Sequence, residues 1–245
     1  MLPPATEKVW DFLRPQPALS GFVLVGGSAL ALRILHRRSE DLDFAFPEIQ
    51  LPRARLDALQ RIAPQARVDF QRNDDEASLQ EFALAGQELH DYQQNFLVNG
   101  AVKVSFFVPD AALAKVLATA REPGVRVATL GELFKSKCLV CALRSKTRDW
   151  LDLYVLMHEH GFAMRDFQAA FREAGVESQR DLALSRLCSG VPQKDDEGYA
   201  HLLANPPSLD EMKTFFKTQR DVLEIEAATD ALRRHRTGGS QQGQA

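Results

Sequence analysis

Three cysteines in 245 residues are too few for a disulfide framework. They are Cys138, Cys141 and Cys188. The pair Cys138-x-x-Cys141 lies inside an apolar helical pattern, KCLVCALRS, and no second pair completes a zinc site. Both are expected to be helix-packing residues. Long apolar runs are also missing, so no segment is expected to cross a bilayer. The start, MLPPATEKVWDFL, lacks the layout of a signal peptide, and a cytoplasmic location is the resulting expectation. Excess basic charge is absent: 30 Lys and Arg stand against 33 Asp and Glu, for a net charge of −3. That balance excludes whole-surface binding of nucleic acid but leaves room for a local basic site. What remains is ordinary for a globular protein, with 45% hydrophobic and 26% charged residues. The length suits one domain or two, and no internal repeat is present.

The hydrophobic pattern divides the chain. Residues 5–14 predict a helix ended by Pro15 and Pro17. Phe22–Val25 is an apolar run that reads as a buried strand, followed by a helix over Ser28–His36. Leu42, Phe44 and Phe46 alternate with Asp41, Asp43 and Ala45, a half-buried strand pattern. A helix over 52–62 follows, then strands at 67–72 and 81–84. Asn95–Val98 and Ala101–Val108 flank Asn99-Gly100, a type I′ hairpin signal. Helices are expected at 111–118, 130–145 and 147–159, and from 163 almost to the end. Strands thus concentrate in the first 110 residues and helices in the last 130, which favours an α+β or α/β module followed by a helical one.

Chemistry concentrates in residues 22–46, FVLVGGSALALRILHRRSEDLDFAF. Gly26-Gly27 directly after a buried strand permits a tight turn and lets backbone N–H groups approach an anion. Ser28 adds a hydroxyl and is placed to cap the helix. Asp41 and Asp43, two apart on a strand, share a face. Like charges there are costly unless a cation or solvent holds them. Hard oxygen ligands suit Mg²⁺ carried by a triphosphate. Weaker candidates have simpler readings. His158 and His160 face apart on a helix, and Arg233–Arg236 form a basic helix end.

The combination resembles the polymerase-β nucleotidyltransferase superfamily, whose minimal signature is a strand, Gly-Ser, a helix and an Asp-x-Asp strand. Within it, GGSALALRILHRRSEDLDF is similar to the AbiEii/AbiGii-type nucleotidyltransferase family, whose first motif reads roughly GGT/S-x-L-A-L, then H-R, then S-x-D-L/I-D-F. His36-Arg37 and Ser39 fall in the matching places. A second block, LFKSKCLVCALRSKTRDWLDLYV over 133–155, matches a Lys-Leu-x-A-L segment followed by R-x-K-x-R-D-x-x-D-L. Lys137, Arg144, Lys146, Arg148, Asp149 and Asp152 occupy its polar positions. If the helix continues past Ser145, Lys137, Arg144 and Arg148 lie along one face.

The resemblance implies an α+β fold: a polymerase-β-type module, a mixed sheet flanked by helices, over 1–125, and a helical module over 126–236. Residues 237–245 are expected to be a disordered tail. It implies a metal-dependent enzyme that moves an NMP from an NTP to an acceptor hydroxyl, with the acceptor an RNA such as tRNA, or a protein. Asp41 and Asp43 would hold Mg²⁺ or Mn²⁺. Gly26, Gly27, Ser28, Arg37, Arg144 and Arg148 would bind the nucleotide. Lys137 would neutralise charge on the α-phosphate or leaving pyrophosphate. Asp149 would orient Lys137 or Arg148, or take the acceptor's proton. The family also implies the toxin of a toxin–antitoxin pair, with a cognate antitoxin as partner.

One departure stands out. The superfamily usually adds a third carboxylate from a later strand, and Ser105 occupies the expected place. Neither Asp69 nor Asp110 matches it. Two other readings follow: a non-catalytic nucleotide-binding relic of the fold, and a small-molecule nucleotidyltransferase of the aminoglycoside-modifying type.

Overall fold

The computed structural model describes residues 1–117 and 124–238, with side chains to residue 229. Six strands form one mixed sheet in the order β3-β4-β5-β2-β1-β6. They are β1 (Val23–Val25), β2 (Leu42–Ala45), β3 (Phe70–Arg72), β4 (Gln93–Val98), β5 (Val102–Phe107) and β6 (Arg126–Val127). β1 and β2 are antiparallel, whereas β2 runs parallel to β5 and β1 parallel to β6. The β4–β5 hairpin turns at Asn99 and Gly100, whose φ angles are 52° and 65°, the positive pair that a type I′ turn requires. β6 is only two residues long and lies just past the expected module boundary at 125.

Alternation sets the two faces of the sheet. Leu42 and Phe44 of β2 and Val104 and Phe106 of β5 are buried on one side. Trp10 of α1 (Pro4–Leu13) stacks on Phe44 with ring centroids 6.4 Å apart, and Phe44 on Phe106 at 5.2 Å. Burying such rings favours this register over a one-residue slip, which would turn every core side chain to the other face. Asp43, Lys103 and Ser105 share the opposite face. The register sets Asp43 directly against Ser105 on one side and Val25 on the other.

Helix α2 (Gly26–Ile34) follows β1 without a loop. α3 (Arg53–Ile62), α4 (Glu76–Leu84) and α5 (Ala111–Val116) connect the strands. α4 replaces the strand expected at 81–84: Asp75 caps it by accepting from the Ser78 N–H at 2.9 Å. The remaining helices are α6 (Leu130–Leu143), α7 (Thr147–Glu159), α8 (Met164–Ala174), α9 (Arg180–Ser189) and α10 (Leu209–Gly238). α6 is buried on almost every side, including Leu133, Phe134, Cys138 and Cys141, and packs against α2, α5, α7, α8 and α9. A capping box of Thr129 and Glu132 starts it. Burial pushes the Cys138 and Cys141 thiols up, consistent with packing residues. Among the described residues no helix is long and apolar enough to cross a membrane.

The expected continuation of α6 past Ser145 does not occur. Arg144 is extended, with φ −146° and ψ 161°, and a new helix begins at Thr147. The expected breaks near 218 are also absent, since α10 is continuous. It includes Thr237 and Gly238, while the rest of the expected tail and the side chains of Arg233–Arg236 lie outside the described residues.

Candidate active site

Gly26 lies at the centre of the site. Its φ is +73°, and a Cβ there would stand 2.9 Å from Asp43 Oδ2. The glycine thus provides a left-handed residue that turns β1 into α2 at once and lets Asp43 press against the helix start. A Cβ on Gly27 would meet Arg37 Nη2 at 2.7 Å and Ser39 Oγ at 2.8 Å. Gly26→Ala combines strain with a clash on the acid, so it is expected to lower turnover at least roughly tenfold while the protein still folds. Steady-state rates beside a thermal melt measure this, and unchanged turnover would show that the close approach is dispensable.

A cavity of about 260 Å³ opens above this junction. Asp41 and Asp43 line it together with Gly26, Gly27, Arg37, Lys103, Lys137, Arg144 and Arg148. Burial, then the neighbouring Asp41, raises the Asp43 carboxyl to about 6. Burial also raises Asp41, against the pull of Lys103 and Arg148.

The cations are held by two buried acids from α7. Lys137 Nζ lies 2.6 Å from Asp149 Oδ1 and 2.7 Å from Asp152 Oδ2. Arg37 grips Asp152 with two N–H donors, at 2.6 and 2.9 Å. Arg144 Nε donates to Asp149 at 2.8 Å, and His36 Nε2 lies 2.7 Å from Asp152 Oδ1. Burial opposes ionisation of both acids, yet Lys137 with Arg144 lowers Asp149, and Lys137 with Arg37 and His36 holds Asp152 well below the usual range. Three permanent cations thus share two carboxylates, which leaves one positive charge in excess beside the cavity.

The sequence-derived residues divide accordingly. Asp41, Asp43, Gly26, Gly27, Arg37, Lys137, Arg144 and Arg148 converge on one cavity. Ser28 does not. Its side chain is buried, donates to the Asp41 carbonyl and lies 3.1 Å from Ser39 Oγ, within hydrogen-bond reach. The expected cap is also corrected: α2 begins at Gly26 with Val25 as its N-cap and no side-chain cap bond. Ser28 instead ties the acid-bearing segment to α2. Asp149 is fully buried, pairs with Lys137 and Arg144, and is not among the residues that line the cavity. Arg148 pairs with Glu197 at 3.5 Å. Lys103 was missed, although its place on β5, two residues from Ser105, sets it on the face shared with Asp43. His158 belongs to an aromatic cluster, stacked on Tyr154 at 5.2 Å.

The donor set fits a divalent cation of the hard type. Two carboxylates face one cavity, and burial and then Asp41 raise the Asp43 carboxyl against the pull of Lys137, Arg144 and Arg148. Among the described residues no group of three or more His, Cys, Asp and Glu is arranged to hold a metal, so a cation held by these two acids would need further ligands from elsewhere. In metal-free protein Asp43 takes up a proton more readily folded than unfolded, where its value is about 3.9. Its contribution therefore favours the fold at low pH and is lost as pH rises through about 6. Asp43→Asn is expected to melt above wild type near pH 7 without divalent cations, with the gap closing below about pH 4. Equal melting at both pH values would show that Asp43 ionises without cost.

A glycine junction below paired acids, walled by cations on a mixed sheet, is the arrangement of a nucleotidyltransferase. The family model described as "Nucleotidyl transferase AbiEii toxin, Type IV TA system" matches residues 11–236, and the chain belongs to that family. It is 24% identical over 197 residues to the uncharacterized protein aq_aa25 of Aquifex aeolicus (strain VF5), covering 80% of this chain and 84% of that one. Its fold is similar to JHP933 from Helicobacter pylori, with a TM-score of 0.50 and 19% identity over 94% of this chain and 97% of the other. A candidate nucleotidyltransferase from H. pylori gives a TM-score of 0.50 at 18% identity, over 92% and 96%.

Proposed function

We propose that this nucleotidyltransferase moves an NMP from an NTP to a hydroxyl of an RNA, with a divalent cation held by Asp41 and Asp43. The observation that carries the reading is the shared cavity, in which both acids face Lys103, Arg144 and Arg148. The cation, when bound, would supply Lewis acidity and charge neutralisation at the phosphates. The residues supply the rest. Gly26 and Gly27 present the N-terminus of α2 to the β- and γ-phosphates. Arg144 and Arg148 neutralise the departing pyrophosphate, and the surplus charge of the Lys137 cluster adds to their field. The acceptor oxygen forms a bond to the α-phosphorus while the bond to the bridging oxygen breaks. Pyrophosphate leaves with the electron pair, and the hydroxyl proton passes to solvent.

Family membership supports a place in a toxin–antitoxin pair, with a cognate antitoxin as partner. Incubation of the purified protein with Mg²⁺, each α-labelled NTP and total RNA tests the reading. Label is expected on RNA with one NTP preferred. Label on protein alone, or none on either, would overturn the RNA assignment.

A further inference from the structure

A second cavity, of about 450 Å³, opens on the other side of Asp43. The two cavities share Gly26, Asp43, Lys137 and Arg144, so these residues form a waist between two chambers. The chambers differ in chemistry. The first adds Arg37, Arg38, Lys103 and Arg148 to the shared cations, together with the acids Glu40, Asp41 and Glu197. The second adds no charged side chain to its described lining. It is lined instead by Phe82, Tyr92 and Phe107, with Gln93 and Ser105 beside them. Phe82 of α4 and Tyr92 pair with ring centroids 5.7 Å apart and planes at 40°. Both are half-buried, and neither is part of the main hydrophobic core. A protein that holds two rings outside its core, in a chamber open to Asp43, has stacking surface to offer.

We infer that this aromatic chamber seats the terminal nucleotide of the acceptor RNA, with its base unstacked from the strand and packed on Tyr92 and Phe82. The inference rests on the transferase reading above. Phosphoryl displacement is in line, so the attacking and leaving oxygens stand on opposite sides of the phosphorus. The triphosphate's charge places the leaving pyrophosphate in the cationic chamber. The acceptor hydroxyl therefore arrives through the other one. Single-stranded RNA is recognised by splayed bases on aromatic rings, with polar groups reading their edges, and Gln93 provides such a group. A polycationic small molecule fits poorly, because Asp43 is the one carboxylate in the described lining and would already be engaged.

The test separates acceptor from nucleotide. Binding of a 5′-fluorescein single-stranded RNA is followed by anisotropy, and Mg²⁺–NTP binding by calorimetry, with wild type, Tyr92→Leu, Phe82→Leu and Tyr92→Phe. The leucine variants retain apolar bulk, and melting curves verify their fold. They are expected to weaken RNA binding and raise the KM for RNA roughly 10- to 100-fold, with NTP affinity within about twofold. Tyr92→Phe should behave as wild type. Loss of NTP affinity with RNA binding unchanged would assign the chamber to the donor base and overturn the proposal. Unchanged values for both would also overturn it, as would label reaching a peptide hydroxyl with the same Tyr92 dependence. If wild type binds no Mg²⁺–NTP at all, the transferase reading itself fails.

Discussion

Asp43→Ala is expected to reduce NMP transfer at least ~10³-fold without unfolding the protein. Asp43 joins both chambers, lies close against the α2 start, and would supply half of the proposed two-acid donor set. A bound cation contributes several kcal/mol of charge stabilisation in the transition state, and each ~1.4 kcal/mol is a factor of ten. With Ser105 directly opposite on β5, no third acid on that strand compensates. The stability forecast has the opposite sign. The Asp43 carboxyl is raised to about 6, so the fold resists its charge, and its removal relieves that cost near neutral pH. The variant should therefore melt at or above the wild-type temperature while its rate collapses. Initial rates with labelled NTP and a melting curve decide both points. Transfer within tenfold of wild type would remove Asp43 from the mechanism.

How much of this site the sequence revealed depends on how local each signal is. The Gly26-Gly27 junction and the Asp41–Asp43 spacing are legible because each depends on a few adjacent residues. Ser28 was misplaced because a strand–turn–helix reading reserves two residues for the turn. Gly26 alone makes it, through a positive φ, so the helix starts two residues early and Ser28 falls inside it. The strand expected at 81–84 rests on a four-residue window, while the Asp75 cap that settles α4 lies outside it. β6 has two residues and no periodicity to detect. The partners of Lys137 were visible as a charged block, but the link from Asp152 to Arg37 spans 115 positions and exists only once the segment after α2 meets α7. The aromatic chamber sets Phe82 of α4 and Tyr92, both outside the two matching motifs, against α6.

Asp152→Ala is expected to cost about 3–5 kcal/mol of stability, the range for stripping one partner from a buried ion pair. Asp152 is fully buried and receives two bonds from Arg37, at 2.6 and 2.9 Å, with Lys137 at 2.7 Å and His36 at 2.7 Å. It ties the segment after α2 to α7, and Asp149 alone cannot balance Arg37, Lys137 and Arg144. For a chain of this size each kcal/mol moves the midpoint by roughly 2–4 °C, so a fall of about 6–20 °C is expected. Denaturant titration gives the free energy directly. The loss should exceed that of Arg144→Ala, because the Arg144 side chain is 41% exposed and water replaces part of its pairing. Arg37→Met combined with Asp152→Leu should cost less than the two single losses added, since neither partner is then left charged and alone. Additive losses would mean that the pair is not coupled. A loss under about 1 kcal/mol for Asp152→Ala would mean that solvent reaches the cluster. Failure of the fold alone would not separate support from catalysis. Asp152→Asn does so, because it keeps the shape and removes the charge. A variant that stays folded while the KM for NTP rises more than kcat falls would show that Asp152 aims Arg37 and Lys137 at the nucleotide from behind the cavity wall.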